Sequence, residues 1–207
     1  LLGECPPFRR FLDLVDRSAS ARGGLLILAE AGIDTEAIAR EIHLRSPRAS
    51  APFVRVTCAL ADPAALEREL FGDRAGRAGD LETVSEGSRV AAARGGKLFL
   101  QDIAELPAPA QARLARLARD GELKVSGVGE VPFDVRLMAS STPDLDAEAE
   151  EGRFRADLHR RLGSTRIEPP PLRQRADDIP LLAAHLTREL CGARGLPPKT
   201  FSPAALT

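Results

Sequence analysis

An α/β fold with a mainly parallel sheet is what this sequence predicts, on two observations. Short apolar runs recur at Leu25 to Ala29, Pro52 to Thr57, Lys97 to Leu100 and Asp134 to Ala139, with stretches of helical period between them. Strands joined through helices need crossover connections, which set them parallel and cover the sheet on both faces. The composition supports such a core: 43% of the 207 residues are hydrophobic. With no Trp, no Tyr and eight Phe, that core must be mostly Leu, Val, Ile and Ala. The length suits one large or two small domains.

The elements follow in order. Pro7 to Ser18 places Phe8, Phe11, Leu12 and Val15 on one helical face, with Arg9, Arg10, Asp13 and Asp16 off it. Leu25 to Ala29 reads as a buried strand and Thr35 to Leu44 as a helix with Ile38 and Ile42 on one side. Ser46-Pro47-Arg48 breaks that helix, and PFVRVT alternates as a second strand. A helix is expected over Ala64 to Phe71, then a loop rich in Gly and charge, FGDRAGRAGDLETVSEGS. Gly95-Gly96 closes a further helical stretch, and KLFL is the third strand. Helix Ala108 to Asp120 spaces Arg113, Arg116 and Arg119 as a stripe that reads as a solvated face. Leu123 to Phe133 alternates around Gly127 and Gly129 as a hairpin and leads into a fourth core strand. Phe154 to Leu162 is helical, Arg166 to Glu168 offers a fifth strand, and Pro169-Pro170-Pro171 stiffens a junction. From Ala176 the pattern is helical again, with Ile179, Leu182, Ala183 and Leu186 on a face, and Pro203 reads as the start of another helix.

Charge and special residues exclude several function classes. With 29 Lys and Arg against 30 Asp and Glu, the chain has no general attraction for DNA. Cys5, Cys58 and Cys191 fit neither a disulfide framework nor a zinc spacing. His43, His159 and His185 lie far apart and are expected on helix surfaces rather than on a metal. No apolar run approaches the roughly 20 residues of a membrane span, and no signal peptide opens the sequence, so a reducing, cytoplasmic setting and no membrane partner are expected.

The segment LLILAEAGIDTEAIAREIHLR sits where a phosphate-binding loop would, between a strand and a helix. That loop asks for Gly, four residues, then Gly-Lys-Ser/Thr, because glycines let backbone N–H groups curl round phosphates and the lysine meets their charge. The matching positions hold Ala29, Asp34, Thr35 and Glu36, with only Gly32 kept. Like charges at ~4 Å and an effective dielectric of ~20 repel by ~4 kcal/mol, so Asp34 would oppose a triphosphate there. An ordinary strand, turn and helix, capped by Asp34 or Thr35 with Glu36 in the first turn, explains the same residues equally well.

Landmarks along nearly the whole chain carry a resemblance. LILAEAG, AREIHLRSPR, PFVRVTC, ERELFGD, GGKLFLQDIAELP, DVRLMAS, GRFRADLHRRL and PPLRQRADDIPLLAAHL, in that order, resemble the AAA+ central domain of bacterial sigma-54-dependent activators, the enhancer-binding proteins. The resemblance implies a P-loop-like α/β sandwich over residues 1–168, and a linker with the beginning of a helical lid over 169–207. It also implies a ring that couples ATP hydrolysis to remodelling of sigma-54 RNA polymerase, with DNA bound through domains outside this chain.

Departures from the family pattern fall on its chemistry. Gln101 stands at the magnesium-orienting aspartate and Asp102 at the water-polarising glutamate, and an amide is a poor substitute for a carboxylate on a hard cation. Thr142 occupies the sensor asparagine position. The sigma-contacting loop, normally Gly-Ala-Phe-Thr-Gly-Ala, is DRAGRAGD here, with Asp73, Gly76, Gly79 and Asp80 but no Phe-Thr pair. Arg155 and Arg161 match the arginine fingers that reach a neighbouring subunit's phosphates. They could instead pair with Asp34 or Asp102 across an interface, or be intramolecular. The expectation is a scaffold or oligomerisation module, in a homo-oligomer or a mixed ring, that does not hydrolyse ATP and requires no cofactor or metal. Two alternatives stand beside it. One is a sensor of ATP, ADP or a cyclic dinucleotide, in which Phe8 stacks a base and Arg9 and Arg10 meet phosphates. The other is a residual ATPase.

Overall fold

The computed structural model describes residues 1–60, 62–73, 83–197, 199–202 and 205. Eight strands and eight α-helices alternate through the described residues: α1 (Pro6–Ser20), β1 (Leu25–Leu28), α2 (Thr35–Leu44), β2 (Phe53–Thr57), α3 (Pro63–Phe71), β3 (Thr83–Val84), α4 (Arg89–Ala92), β4 (Lys97–Gln101), α5 (Ala108–Asp120), β5 (Glu122–Val125), β6 (Gly129–Pro132), β7 (Arg136–Ser141), α6 (Leu145–Glu150), α7 (Ala156–Leu162), β8 (Arg166–Ile167) and α8 (Ile179–Ala193). Five strands make one parallel sheet in the order β2-β4-β7-β1-β8.

The apolar runs are continuous because both faces of this sheet are buried. Leu26, Leu98, Leu100, Leu137 and Ala139 join one core with α3, α5 and α7. Leu25, Ile27, Phe99 and Met138 point the other way, into a second core with Phe8, Phe11 and Val15 of α1 and Ile38 and Ile42 of α2. Each fully buried aliphatic or aromatic side chain is worth roughly 1.5–3 kcal/mol of transfer free energy. A Leu→Ala change in the middle of β1, at Leu26, therefore threatens the whole sheet.

Several sequence expectations need correction. The hairpin forms, and its first strand β5 pairs with β3, so that β3, β5 and β6 make a small sheet separate from the main one. The fourth core strand begins at Arg136 and runs to Ser141. The helix expected from Phe154 starts at Ala156, and α6 was not foreseen. His43 is buried against Phe53, with ring centroids 5.3 Å apart, so it is no surface residue. Arg113 leaves the expected solvated stripe: its guanidinium lies 4.0 Å from the centroid of the Phe71 ring and donates to the Thr83 carbonyl. On α8 the expected face is only partly covered, and Leu186 is exposed. Gly76, Gly79 and Asp80 of the expected sigma-contacting loop, and the helix start at Pro203, lie outside the described residues.

The N-terminal segment is tied to the far end of the chain. The backbone N–H groups of Glu4 and Cys5 donate to Asp178 Oδ1 at 2.7 and 3.0 Å. Arg175 lies over the Phe8 ring at 4.3 Å and its Nη2 donates to the Leu2 carbonyl. Asp178 is itself buried, and these hydrogen bonds hold its carboxyl below its ordinary range although burial pushes the other way.

Candidate functional site at the carboxyl edge of the sheet

Strand β1 lies between β7 and β8, and the connection leaving its carboxyl end runs toward β2 while that of neighbouring β7 crosses to β8 on the other side. In open parallel sheets such a point is where ligands bind. Ala29, Glu30, Ala31, Gly32, Ile33 and Asp34 form the turn there. Gly32 has φ +90, which a side chain rarely adopts, and a Cβ at that position would meet nothing within 4 Å. The turn is therefore open above Gly32.

Helix α2 leaves this turn with its N-terminus already capped. The Ala37 N–H donates to Asp34 Oδ1 at 2.9 Å, and the Thr35 N–H donates to the Ile33 carbonyl at 2.9 Å. Two first-turn donors that would face a phosphate are thus already taken, one of them by a carboxylate. Thr35 turns inward: it is buried, and its hydroxyl donates to Ser140 Oγ at 3.2 Å. Glu36 accepts from Arg40 at 2.7 Å and from Arg55 at 2.5 Å, which hold its carboxyl below the usual range.

Ser140 links two of the expected positions. Its Oγ also accepts from the Asp102 N–H at 3.3 Å, so Thr35, Asp102 and β7 meet on one hydroxyl. Asp102 is the one described non-glycine residue with positive φ, at 57, a left-handed conformation that Asp tolerates better than most residues. Gln101 ends β4, where its carbonyl accepts from the Cys58 N–H. Burial pushes the neighbouring Cys58 thiol up to about 12, and the charges of Asp102 and Glu69 add to that, so it stays protonated. Among the described residues no group of three His, Cys, Asp or Glu side chains is placed to hold a metal ion.

Two hollows flank the turn. One, of about 560 Å³, is walled by Ala29, Glu30, Thr142, Arg10, Arg166 and Arg173, among others. Glu30 crosses its mouth to Arg173 in a two-pronged pair at 2.7 Å, which lowers the carboxyl and raises the guanidinium. The second, of about 290 Å³, is mainly apolar and lies between Leu1, Gly32, Ile33, Ala37, Leu172 and Leu182. Phe8 borders it but is not a stacking platform, because it is buried between Phe11 and the Arg175 guanidinium.

The two expected trans-acting arginines behave differently. Arg155 forms an ion pair with Asp157 in the first turn of α7 at 2.8 Å, which raises the guanidinium and lowers the carboxyl. Arg161 is exposed beside Arg22 and Arg160. Asp73 is exposed at the end of α3. Sequence reasoning did not find Ser140, Glu30 or Arg173; only their distances in the fold identify them.

Residues 1–168 match the family described as the Sigma-54 interaction domain. The chain is 41% identical over 189 residues to the transcriptional regulatory protein XylR of Pseudomonas putida, covering 90% of this chain and 33% of that protein. It is 36% identical over 211 residues to the DNA-binding transcriptional regulator NtrC of Escherichia coli K12, covering 100% and 45%. Its structure resembles that of NtrX from Brucella abortus in complex with ADP, with a TM-score of 0.87 at 30% identity, covering 100% of this chain and 46% of that one. The P-loop NTPase domain of a sigma-54 activator from E. coli, at 18% identity and a TM-score of 0.55, shares the fold. The chain spans between a third and a half of the curated relatives it matches.

Proposed function

The chain belongs to the Sigma-54 interaction domain family, and from that premise we propose that it is the AAA+ module of a transcription regulator that works without hydrolysing ATP. The observation that carries this reading is the cap on α2. The Asp34 carboxylate takes the Ala37 N–H where a phosphate would sit, and Thr35 spends its hydroxyl on Ser140 where a lysine would reach outward. A helix N-terminus favours one anion, and here the anion is built in. Gln101 and Asp102 point the same way, since an amide binds magnesium poorly and a carboxylate shortened by one methylene is misplaced by ~1 Å, enough to lower a rate on the order of a hundredfold.

In this reading the module acts as a scaffold, in a homo-oligomer or a ring mixed with related subunits. A sigma factor and RNA polymerase are its partners, and DNA is bound through other domains. Residues 1–168 form the α/β part and 169–207 begin a lid. A phosphate-release assay with magnesium and ATP tests the proposal: turnover at a rate comparable to an intact relative refutes it. The quadruple variant Asp34→Gly, Thr35→Lys, Gln101→Asp, Asp102→Glu is expected to gain nucleotide affinity.

One observation favours a second reading, a nucleotide sensor without turnover. The apolar hollow beside Gly32 has walls suited to a base, and the NtrX relative binds ADP and ATP. Calorimetric titration separates the two: saturable ATP or ADP binding with no phosphate release selects the sensor.

A further inference from the structure

At the opposite, amino-terminal edge of the sheet, Lys97 and Arg136 are direct partners in the register of β4 and β7. Lys97 is 1% exposed and Arg136 6%. Like charges facing each other across adjacent strands repel, and buried charges need compensation. Part of it comes from helix ends. Lys97 Nζ donates to the Ile42 carbonyl in the last turn of α2 at 3.1 Å. Arg136 Nη1 donates to the Ala19 carbonyl in the last turn of α1 at 3.5 Å, and its Nε to the Gly23 carbonyl at 2.9 Å. Arg136 Nη2 is buried with no hydrogen-bond partner.

These groups wall a cavity of about 550 Å³ that Arg22, Arg48 and Asp134 also line. Arg48 pairs with Asp134 at 2.7 Å. Each helix end supplies about half a negative charge, so four cations against one carboxylate and two helix ends leave about two positive charges in excess. We propose that this cavity binds a small dianionic oxyanion, phosphate in class, held by Lys97, Arg136, Arg48 and Arg22. Lys97 and Arg136 supply buried donors, Arg136 Nη2 the unused one, and the guanidiniums supply planar, two-pronged geometry suited to phosphate oxygens. Burial, helped by Arg136 and Arg48, lowers the Lys97 ammonium to about 8, so Lys97 takes up a proton when an anion binds and relieves this repulsion. The groups facing Lys97 are Arg48, Arg136, Asp134 and His43, the last lowered by burial and by Lys97 itself.

Calorimetric titration of the chain with orthophosphate tests the proposal. One saturable site is expected, weakened about ten- to a hundredfold in Lys97→Met and unchanged in Arg68→Ala on the exposed surface of α3. Should Lys97→Met not fold, Arg48→Gln, half-exposed, must show the weakening in its place. Glycerol 3-phosphate separates the sources: tighter binding than orthophosphate assigns a phosphorylated metabolite, equal or weaker binding the free ion. Sulfate, which does not titrate, should show buffer-dependent heats at pH 8 that report proton uptake. Absence of saturable orthophosphate binding overturns the site. So does an affinity untouched by Lys97→Met and Arg48→Gln, an equal loss in Arg68→Ala, or sulfate binding without proton uptake.

Discussion

At the carboxyl edge of the five-stranded sheet the side chain that meets a helix end is an acid, Asp34 at the start of α2; at the amino edge the groups that meet helix ends are cations, Lys97 and Arg136 at the ends of α2 and α1. Each edge is therefore charge-matched to the dipoles of its own helices. A nucleotide-hydrolysing site needs the reverse at the carboxyl edge, where helix N-termini are left open for phosphate and a lysine adds to them. The difference teaches that the same helix dipoles recruit opposite charges at the two edges: one carboxylate caps α2 at the carboxyl edge, and several cations line one cavity at the amino edge.

The largest expected effect lies at the amino edge. Arg136→Met removes the donors to the Gly23 and Ala19 carbonyls and weakens the end of α1, and each lost hydrogen bond from a charged group costs about 1.5–3 kcal/mol. Urea unfolding monitored by circular dichroism measures it, and a loss under about 1 kcal/mol would mean that the cation is dispensable to the fold.

Next is a pH effect at the same edge. The Lys97 ammonium lies at about 8 in the folded chain against an ordinary 10.5, so between those values the unfolded chain binds more protons. Stability contributed by this group should rise as pH climbs from 8 to 10.5, by roughly 3 kcal/mol in all. The Lys97→Met chain should lack that slope in denaturant titrations at a series of pH values; an identical slope in both chains contradicts the burial of the charge.

At the carboxyl edge Asp34→Ala removes one cap, for a loss of about 1 kcal/mol, and should raise the affinity for ATP in the same preparation. A stability loss with no gain in nucleotide affinity would show that the carboxylate caps the helix without guarding the turn. The smallest effect is Arg173→Ala, which breaks an exposed pair with Glu30: the melting temperature should not move, and a clear fall would reveal a role in docking α8.

Most of the fold was legible because buried parallel strands are apolar on both faces, and LLIL, KLFL and the RLMA shared by the expected and observed fourth strand need no partner information to be read. The bounds of α2 and α5 were readable for the same local reasons, a cap in one and a glycine stop in the other. The site was less legible. Thr35 could be seen to replace a lysine, but its contact with Ser140 spans 105 positions and exists only once β1 and β7 pair. Arg113 was read as solvated because charge and helical spacing say nothing of Phe71, which α3 delivers from elsewhere. Lys97 opens an apolar strand, and nothing in KLFL says that it is buried; its burial depends on where α2 ends.

Asp178 has a mechanical meaning beyond its hydrogen bonds. One carboxylate grips the backbone of Glu4 and Cys5 from the root of α8, beside the Arg175 contacts to Leu2 and Phe8, so the opening segment is fastened to that helix. A tug on the first residues reaches α8 without passing through the sheet, and any swing of that helix must either carry the opening segment along or let go of it.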